Sequence, residues 1–402
     1  MDHKDYLDGA FNEETGEYNA EKAQKNINRD KDKLNILLMG ATGVGKSALV
    51  NAMFGDNVVE SKPGEPVTQF LSKIEIESKG LILWDTKGIE AQDYANTKQQ
   101  LIDDIKKGFD KAFAEDNNDH RPHIAWLCIK ESSSRVEPRD IDLLQITQEY
   151  GIPVIVVFTD TQFENGDEFY GAAINNLKNK FGSYLKNRYV RVNSVKYKFR
   201  NMDVEQHGLD DLLELTEECL GEVEQTNLNE KKRKKKLQEA FLKAQQVDKE
   251  KKLQAMINGA RTKVHVAAAS AATVGMSPIP GSDAPLIAAV QTTMIYTINS
   301  EFEVDEDSKK MTSMIAGILG TTAIAQVGKT VVSNLLKLIP GPGTLIGGAI
   351  SATTAAALTE AIGHAYIQVL VNFYDKEKGV VELPEGTNAI LQVFKDYFKW
   401  KK

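Results

Sequence analysis

A lysine and a serine close a glycine-rich turn near the start of the chain, in the stretch LLMGATGVGKSALVNAMFG. The spacing Gly40-x-x-x-x-Gly45-Lys46-Ser47 combines backbone N–H groups with an amine and a hydroxyl. A turn of this kind, after an apolar strand and before a helix, wraps phosphate oxygens, and the helix N-terminus adds partial positive charge. We therefore expect Lys46 to contact the β and γ phosphates of a nucleotide and Ser47 to ligate Mg²⁺. The predicted phosphate-binding residues are Gly40, Ala41, Thr42, Gly43, Val44, Gly45, Lys46, Ser47 and Ala48.

Two further segments carry groups suited to the metal ion and the γ-phosphate. LWDTKG places Asp85 and Gly88 directly after a strand-like run, so that the carboxylate would hold Mg²⁺ through water and the glycine N–H would meet the γ-phosphate. KPGEPVTQF offers Thr68 just before another strand, where it could close over the γ-phosphate; capping that strand is the alternative role. The predicted metal ligands are Ser47, Thr68 and Asp85, and the predicted catalytic residues are Lys46, Thr68 and Gly88.

Apolar runs alternate with amphipathic stretches over residues 34–222, which predicts an α/β domain. The six runs are LNILLMG, FLSKIEI, LILWDT, HIAWLCI, PVIVVFT and YVRVNS, and the helical stretches open near Lys46, Asn96, Pro138, Tyr170 and Gly208. This alternation is typical of a mostly parallel sheet of six strands that helices cover on both faces.

The rest of the chain divides into three parts. Residues 1–33 are polar and predict a flexible arm or a loosely docked helix, and residues 223–256 predict a charged linker helix. Residues 257–402 are rich in Ala and Gly and predict an all-α domain with uncharged runs about as long as a bilayer-spanning helix needs. Their hydrophobicity is weak for lipid contact. Ile390, Phe394 and Phe398 form one stripe, which would pack on this domain or lie on a membrane surface.

Composition limits the classes of partner. The net charge of −8 argues against general affinity for nucleic acid, so we expect no specific nucleic-acid partner. Two cysteines without metal-type neighbours indicate a reducing, cytoplasmic setting. The six histidines are scattered, and we expect His265 and His364 to find local hydrogen bonds rather than a metal ion.

The segments GATGVGKSALVNAMFG, PVTQF and DTKG resemble the first three signatures of translation-factor-class GTPases of the Era-like group. The resemblance implies a Ras-like P-loop fold, bound GTP or GDP with Mg²⁺, and hydrolysis of GTP. The C-terminal half resembles the YcjF-like helical domain, which is linked with membranes. Two Ile-Pro-Gly turns, Ile279–Gly281 and Ile339–Gly341, carry that resemblance.

The base-recognition signatures depart from the family pattern. Thr159-Asp160-Thr161-Gln162 lacks the usual lysine and the final carboxylate, although the amide oxygen of Gln162 could still accept from guanine. Ser194 and Val195 lie where the family's backbone approaches guanine O6. We expect GTP rather than ATP. Ile89 replaces a water-orienting glutamine, which predicts slow hydrolysis unless self-association or a partner supplies the missing group.

Three functions stay open at this point. The first is a nucleotide switch whose helical domain reports to a membrane surface, a membrane protein or another protein partner, with a possible homodimer through the GTPase domain. The others are a ribosome- or RNA-associated assembly GTPase and a P-loop ATPase. The expected location is the cytoplasm, with possible peripheral or integral attachment at the inner membrane.

Overall fold

The protein divides into two compact units. The sheet unit spans Asp32–Asp248, and the helical unit combines Met1–Lys31 with Lys249–Lys402. The computed structural model describes residues 3, 5–12, 15, 17–55, 58, 65–86, 94–114, 121–163, 166–198, 203–222, 228–274, 283–304, 314, 315, 317, 318 and 351–398.

Seven strands form the main sheet, in the order β2-β3-β4-β1-β5-β6-β7. Their bounds are β1 Leu34–Met39, β2 Glu65–Pro66, β3 Leu71–Ile76, β4 Leu81–Thr86, β5 Ile124–Lys130, β6 Val154–Thr159 and β7 Tyr189–Val192. β3 is antiparallel to β2 and β4, and the remaining pairs are parallel. The six predicted strands are therefore confirmed, with the two-residue β2 added at one edge. β8 Tyr197–Lys198 pairs with β9 Asp203–Val204 in a separate hairpin.

Helices cover both faces of this sheet. They are α2 Lys46–Phe54, α3 Tyr94–Ala114, α4 Pro138–Glu149, α5 Gly166–Leu185, α6 Leu209–Gly221 and α7 Leu228–Ala244; the first helix of the chain, α1 Ala20–Arg29, belongs to the helical unit. Successive side chains of a strand point to opposite faces, so β1 serves two cores. Ile36 and Leu38 pack with α2, α6 and α7, whereas Leu37 and Met39 pack with α3, α4 and α5. The parallel strands thus bring their carboxyl ends to one edge.

The segment 223–256, expected as a charged linker helix, is divided between the two units: it belongs to the sheet unit up to Asp248 and to the helical unit from Lys249. In α7, Leu237, Ala240, Phe241 and Ala244 are buried in the core that also contains α2. The Gln246 N–H donates to the Met53 carbonyl oxygen at 2.7 Å. The apolar residues recur at helical spacing within a run dominated by lysine, so charge density concealed a packing face.

The described part of the helical unit includes five long α-helices, a 3-10 helix at Asp5–Leu7 and a hairpin. The α-helices are α1 Ala20–Arg29, α8 Lys249–Val274, α9 Asp283–Glu301, α10 Ala352–Asn372 and α11 Thr387–Tyr397, and the hairpin is β10 Tyr374–Asp375 with β11 Val380–Val381. The all-α character of the C-terminal region, expected from its Ala and Gly content, is confirmed apart from this hairpin, whose two strands have two residues each. Ile390 and Phe394 are buried in its core and Phe398 packs against it, so the aromatic stripe of α11 packs as expected for a helical domain.

The N-terminal residues, for which a flexible arm or a loosely docked helix was expected over 1–33, also pack in this unit. Tyr6, Leu7 and Ile27 are buried in the helical core. The hydroxyls of Tyr18 and Thr293 are 2.9 Å apart. An amphipathic helix with few apolar residues is polar on average, but its single buried stripe is sufficient for docking.

α9 explains why a long run of this chain carries no charge. All of residues 287–299 are buried within the helical unit. Polar members of the run have protein partners: Tyr366 Oη donates to Asn299 Oδ1 at 2.5 Å, and Gln291 Nε2 donates to Thr359 Oγ1 at 3.2 Å. A helix that is buried on every side needs no charged face. Among the described residues, no helix is both long and apolar enough to cross a bilayer.

Both Ile-Pro-Gly turns, Ile279–Gly281 and Ile339–Gly341, lie outside the described residues. The structure therefore leaves their predicted role in helix hairpins as a prediction.

Gly363 allows α10 to approach α8 and α9 closely, which makes it a test of the packing. A β-carbon at Gly363 would lie 2.5 Å from Val264 Cγ2 and 3.0 Å from Met294 Sδ. Gly363→Ala should therefore destabilise the chain by about 1–3 kcal/mol, measured by urea denaturation with circular dichroism. Gly171→Ala is the control, because nothing lies within 4 Å of its new methyl group. It should leave stability unchanged or raise it by about 0.4–1 kcal/mol; equal losses in both variants would contradict the packing argument.

Candidate nucleotide-binding site

The loop between β1 and α2 depends on glycine at three positions. Gly40, Gly43 and Gly45 have φ of 133°, 76° and 96°, in the region that residues with a β-carbon rarely adopt. At Gly40 there is also no room, since a β-carbon would lie 2.4 Å from the Cys128 carbonyl oxygen of β5. The loop backbone therefore rests directly on the neighbouring strand, and its turn leads into the N-terminus of α2.

Lys46 places its amine inside this loop. Lys46 Nζ donates to the carbonyl oxygens of Gly40 at 2.9 Å and Ala41 at 3.2 Å. It also lies 3.6 Å from Asp85 Oδ1 at the end of β4. Ser47 follows in the first turn of α2. The predicted lysine, serine and aspartate thus lie at the carboxyl edge of β1 and β4, where the strands pair Leu38 with Asp85.

Two of the oxygens predicted to bind the metal ion are buried and lack hydrogen-bond partners within the described part of the chain. They are Asp85 Oδ1 and Thr68 Oγ1. Burial raises the pKa of Asp85 and the Lys46 ammonium lowers it, with a net rise above the ordinary value. Hydroxyl and carboxylate oxygens are the ligands that Mg²⁺ prefers. The chemistry of Ser47, Thr68 and Asp85 therefore fits that ion.

Thr68 itself contacts α3 in this structure. A β-carbon built on Gly108 of α3 would lie 3.4 Å from the Thr68 methyl carbon. The next two backbone N–H groups, of Gln69 and Phe70, donate to Asp104 at 3.4 and 2.7 Å. Gly88, the other residue predicted at the γ-phosphate, lies outside the described residues, as does Ile89.

Thr159 supports the loop from β6, a role that sequence reasoning missed. Thr159 Oγ1 donates to the Val44 carbonyl oxygen at 2.6 Å, across 115 positions in the chain. The threonine side chain is buried. A residue predicted to meet the base thus also holds the phosphate loop in place.

Asp160 and Gln162 form a connected polar group beyond β6. Asp160 has φ of 60°, and its carboxylate accepts from Gln162 Nε2 at 2.5 Å and from Ser132 Oγ. Lys130 Nζ of β5 is 3.2 Å away, so a lysine reaches this segment from the adjacent strand. Burial raises the pKa of Asp160, but the bonds from Ser132, Gln162 and Lys130 outweigh that effect and hold it below its ordinary value. Gln162 Oε1 is buried and has no partner among the described residues.

Ser194 and Val195 follow β7, at the same edge of the sheet. Asn193 orders this turn, since its side-chain amide donates to the Val195 carbonyl at 2.9 Å and to the Glu205 carbonyl at 3.0 Å. Gln206 Nε2 donates to the Ser194 carbonyl at 2.6 Å. The segment is therefore held in one backbone conformation on the side where the base would lie.

Comparisons with known proteins agree with this geometry. Residues 35–160 match the family described as 50S ribosome-binding GTPase, and residues 235–395 match a domain of unknown function, DUF697. The probable GTP-binding protein EngB of Koribacter versatilis is 28% identical over 137 residues, which is 33% of this chain and 64% of that protein. Cell division control protein 11 of Encephalitozoon cuniculi is 26% identical over 130 residues, which is 30% of this chain and 49% of the length of that protein.

Among solved structures, Era in complex with MgGDPNP and a segment of 16S ribosomal RNA has a TM-score of 0.32 at 16% identity. That alignment covers 58% of this chain and 67% of the Era chain. The chain spans 64% and 49% of the lengths of the two curated relatives. Membership of the Era-like group and a YcjF-like character remain predictions. The sheet unit contains a GTP-binding GTPase domain with the Ras-like P-loop fold, and the DUF697 match extends from α7 to α11.

The hydrogen bond from Thr159 to the loop can be tested with an isosteric substitution. Thr159→Val removes the donor to the Val44 carbonyl, so GTP affinity should fall about fivefold, the equivalent of one hydrogen bond of about 1 kcal/mol. Thr147→Val is the matched control, because its buried hydroxyl donates to carbonyls inside α4 and does not contact the loop. Calorimetric titration of both variants measures the effect; equal affinities would show that the loop does not need this bond.

The raised pKa of Asp85 predicts how nucleotide binding depends on pH. Because the carboxylate takes up a proton at higher pH than an ordinary aspartate, its metal-binding form is lost earlier as the pH falls. The gain in GTP affinity on adding Mg²⁺ should therefore shrink as the pH falls, starting above the range in which an ordinary aspartate takes up its proton. In Asp85→Asn, the gain in GTP affinity on adding Mg²⁺ should be small at every pH. Titrations with Mg²⁺ and with a chelator measure this, and a pH-dependent gain that survives in the variant would assign it to another group.

Proposed function

We propose that this protein is a GTP-binding, slowly hydrolysing switch whose helical unit couples the nucleotide state to a partner. The observation that carries the proposal is the position of Lys46, whose amine lies within a glycine loop and 3.6 Å from Asp85. A cation beside backbone N–H groups at a helix N-terminus suits the phosphate groups of a nucleotide.

Different residues of the chain would bind the phosphates and the metal ion. The backbone N–H groups of residues 43–48 would bind the phosphate oxygens, and Lys46 would exchange the carbonyls of Gly40 and Ala41 for the β and γ phosphates. Ser47 and Asp85 would hold Mg²⁺, which neutralises phosphate charge during transfer to water. Lys46 and Gly88 would stabilise the charge that develops on the γ-phosphate.

A preference for guanine is supported by the segment after β6. Gln162 donates its amide N–H to Asp160, which leaves Oε1 as an acceptor without a hydrogen bond among the described residues. That oxygen could accept a hydrogen bond from the N–H groups of guanine. Adenine bound in the same orientation would not place its amino group within reach of this oxygen. Ser194 and Val195 offer backbone groups on the same edge of the sheet. Titration with GTP, GDP and ATP side by side tests the preference, and equal affinity for ATP would favour a P-loop ATPase.

The segment at residues 67–70 is the proposed moving part. It is held against α3 by the carboxylate of Asp104, and Thr68 Oγ1 is buried without a hydrogen bond among the described residues. GTP would offer Thr68 a metal ion and a γ-phosphate, so the segment would exchange its α3 contacts for the nucleotide. Loss of the γ-phosphate would reverse the exchange.

Slow turnover follows from Ile89, which cannot orient water by hydrogen bonding. A homodimer through the GTPase domain, or a partner, would then supply the missing group. Single-turnover hydrolysis across protein concentration distinguishes these cases. Fast hydrolysis that does not change with concentration would remove the requirement for a second molecule.

The output partner is proposed to be a protein or a membrane surface, reached from the cytoplasm, with peripheral attachment at the inner membrane as one form. Liposome co-sedimentation with GDP and with a non-hydrolysable GTP analogue tests the lipid branch. Absence of binding in both states would leave a protein partner.

A ribosome- or RNA-associated role is the second candidate. The family matched by residues 35–160 is described as ribosome-binding, and α7 exposes lysines such as Lys235 and Lys236, whose side chains are 75% and 61% exposed. RNA binding that weakens with salt and requires Lys231–Lys236 would support this role. Salt-independent binding, or none, would favour the switch with a protein or membrane partner.

The role of Thr68 gives a direct test of switching. Thr68→Ala should weaken binding of a non-hydrolysable GTP analogue with Mg²⁺ about tenfold, because one contact to a charged group is lost, and should leave GDP affinity unchanged. Hydrogen exchange of residues 67–70 should differ between the two nucleotides in the native chain only. Thr262→Ala, an exposed threonine of the helical unit, is the control. Equal weakening for GDP and the GTP analogue would show that Thr68 does not sense the γ-phosphate.

A further inference from the structure

Two histidines and a glutamate converge on the surface of the helical unit. His265 Nδ1 of α8 is 2.7 Å from Glu360 Oε1 of α10, and His364 Nε2 is 3.3 Å from Glu360 Oε2. One ligand atom from each residue lies within 4.8 Å of the other two. The rings of His265 and His364 are 5.8 Å apart and inclined at 70°. The carboxylate thus lies between two imidazoles and contacts one with each oxygen.

The positions of these side chains are set by the helices. Glu360 and His364 are four residues apart, so they lie on one face of α10. Val264 and Gly363, the neighbours of His265 and His364, form the close contact between α8 and α10, where a β-carbon at Gly363 would lie 2.5 Å from Val264 Cγ2. This contact brings the two histidines together across the helix pair. Ligands on packed helices are held more accurately than ligands on loops.

We propose that His265, Glu360 and His364 form a binding site for a divalent transition-metal ion, with Zn²⁺ as the preferred ion. Two imidazole nitrogens and one carboxylate oxygen are a ligand set used by protein zinc sites that keep an open position. Tetrahedral ligands at about 2.1 Å from the ion are about 3.4 Å from one another. The 3.3 Å pair already has this separation, and small rotations about the side-chain bonds of the 2.7 Å pair would reach it.

The exposure of the site defines what kind of site it is. The side chains of His265, Glu360 and His364 are 61%, 35% and 43% exposed, so the ion can enter from solvent and water can complete its coordination. Imidazole nitrogen favours zinc and its neighbours over Mg²⁺, whereas the oxygen ligands of Ser47 and Asp85 favour Mg²⁺. The ion would connect α8 to α10 and offer a fourth position to a ligand from solvent or from a partner.

The experiment uses the tag-free full chain saturated with Mg²⁺ and GDP and titrated with Co²⁺, whose visible absorption reports ligands bound directly to the metal. We expect one Co²⁺ per chain with nitrogen-ligand absorption, and displacement by an equivalent of Zn²⁺. His265→Ala, Glu360→Gln and His364→Ala should each weaken Co²⁺ binding about 10–100-fold or more. Loss of a side chain that only supports a metal ligand already costs about that much in metal affinity. Circular dichroism should be unchanged, because all three side chains are at least partly exposed.

Two control variants make the result specific. His207→Ala removes an exposed histidine of the sheet unit and should bind Co²⁺ as the native chain does. Lys46→Ala should lose nucleotide binding and keep the Co²⁺ absorption, which separates the metal site from the proposed switch. Zn²⁺ should also slow hydrogen exchange around His265 and Glu360 in the native chain but not in Glu360→Gln. Absence of Co²⁺ binding, or equal binding by the native chain and the three ligand variants, would overturn the proposal.

Discussion

The close approach of the Gly40 backbone to the Cys128 carbonyl oxygen allows the phosphate loop to lie against the sheet. A β-carbon at Gly40 would lie 2.4 Å from that oxygen, so the loop can leave β1 along the surface of β5 only with glycine at this point. From there Val44 reaches the hydroxyl of Thr159 on β6, and Lys46 turns its amine into the loop. Three neighbouring strands therefore determine the shape of the loop.

Small side chains serve the helical unit in a related way. Gly363 lets α10 approach Val264 and Met294, and α9 is buried on every side among its neighbours. Buried polar groups of α9 then find partners on α10, as Asn299 does with Tyr366. The low charge of α9 follows from its burial inside protein, and the small Gly363 at the contact of α10 with Val264 and Met294 allows the helices to pack closely.

The strands of the sheet unit were predicted from the sequence, whereas the boundaries between the two units were not. Six predicted runs became β1 and β3–β7. The clearest were β1, β4, β5 and β6, because a strand buried on both faces is a continuous apolar run. The buried stripe of α7 was not recognised because lysines surround it in the sequence. Tyr6 and Ile27 were not recognised as core residues because residues 1–33 are polar on average. Both segments have few apolar residues, and whether so small a stripe docks depends on the surface that another part of the chain presents.

The sequence by itself predicted the phosphate chemistry and determined the order of strand, loop and helix, because both depend on consecutive residues such as Gly45, Lys46 and Ser47. Only the tertiary structure decided that Lys130 reaches Asp160, that Thr159 supports Val44, and that His265 meets Glu360. Those pairs are 30, 115 and 95 positions apart. Contacts at such separations depend on strand order and on the rotation of each helix about its axis, which local spacing does not encode.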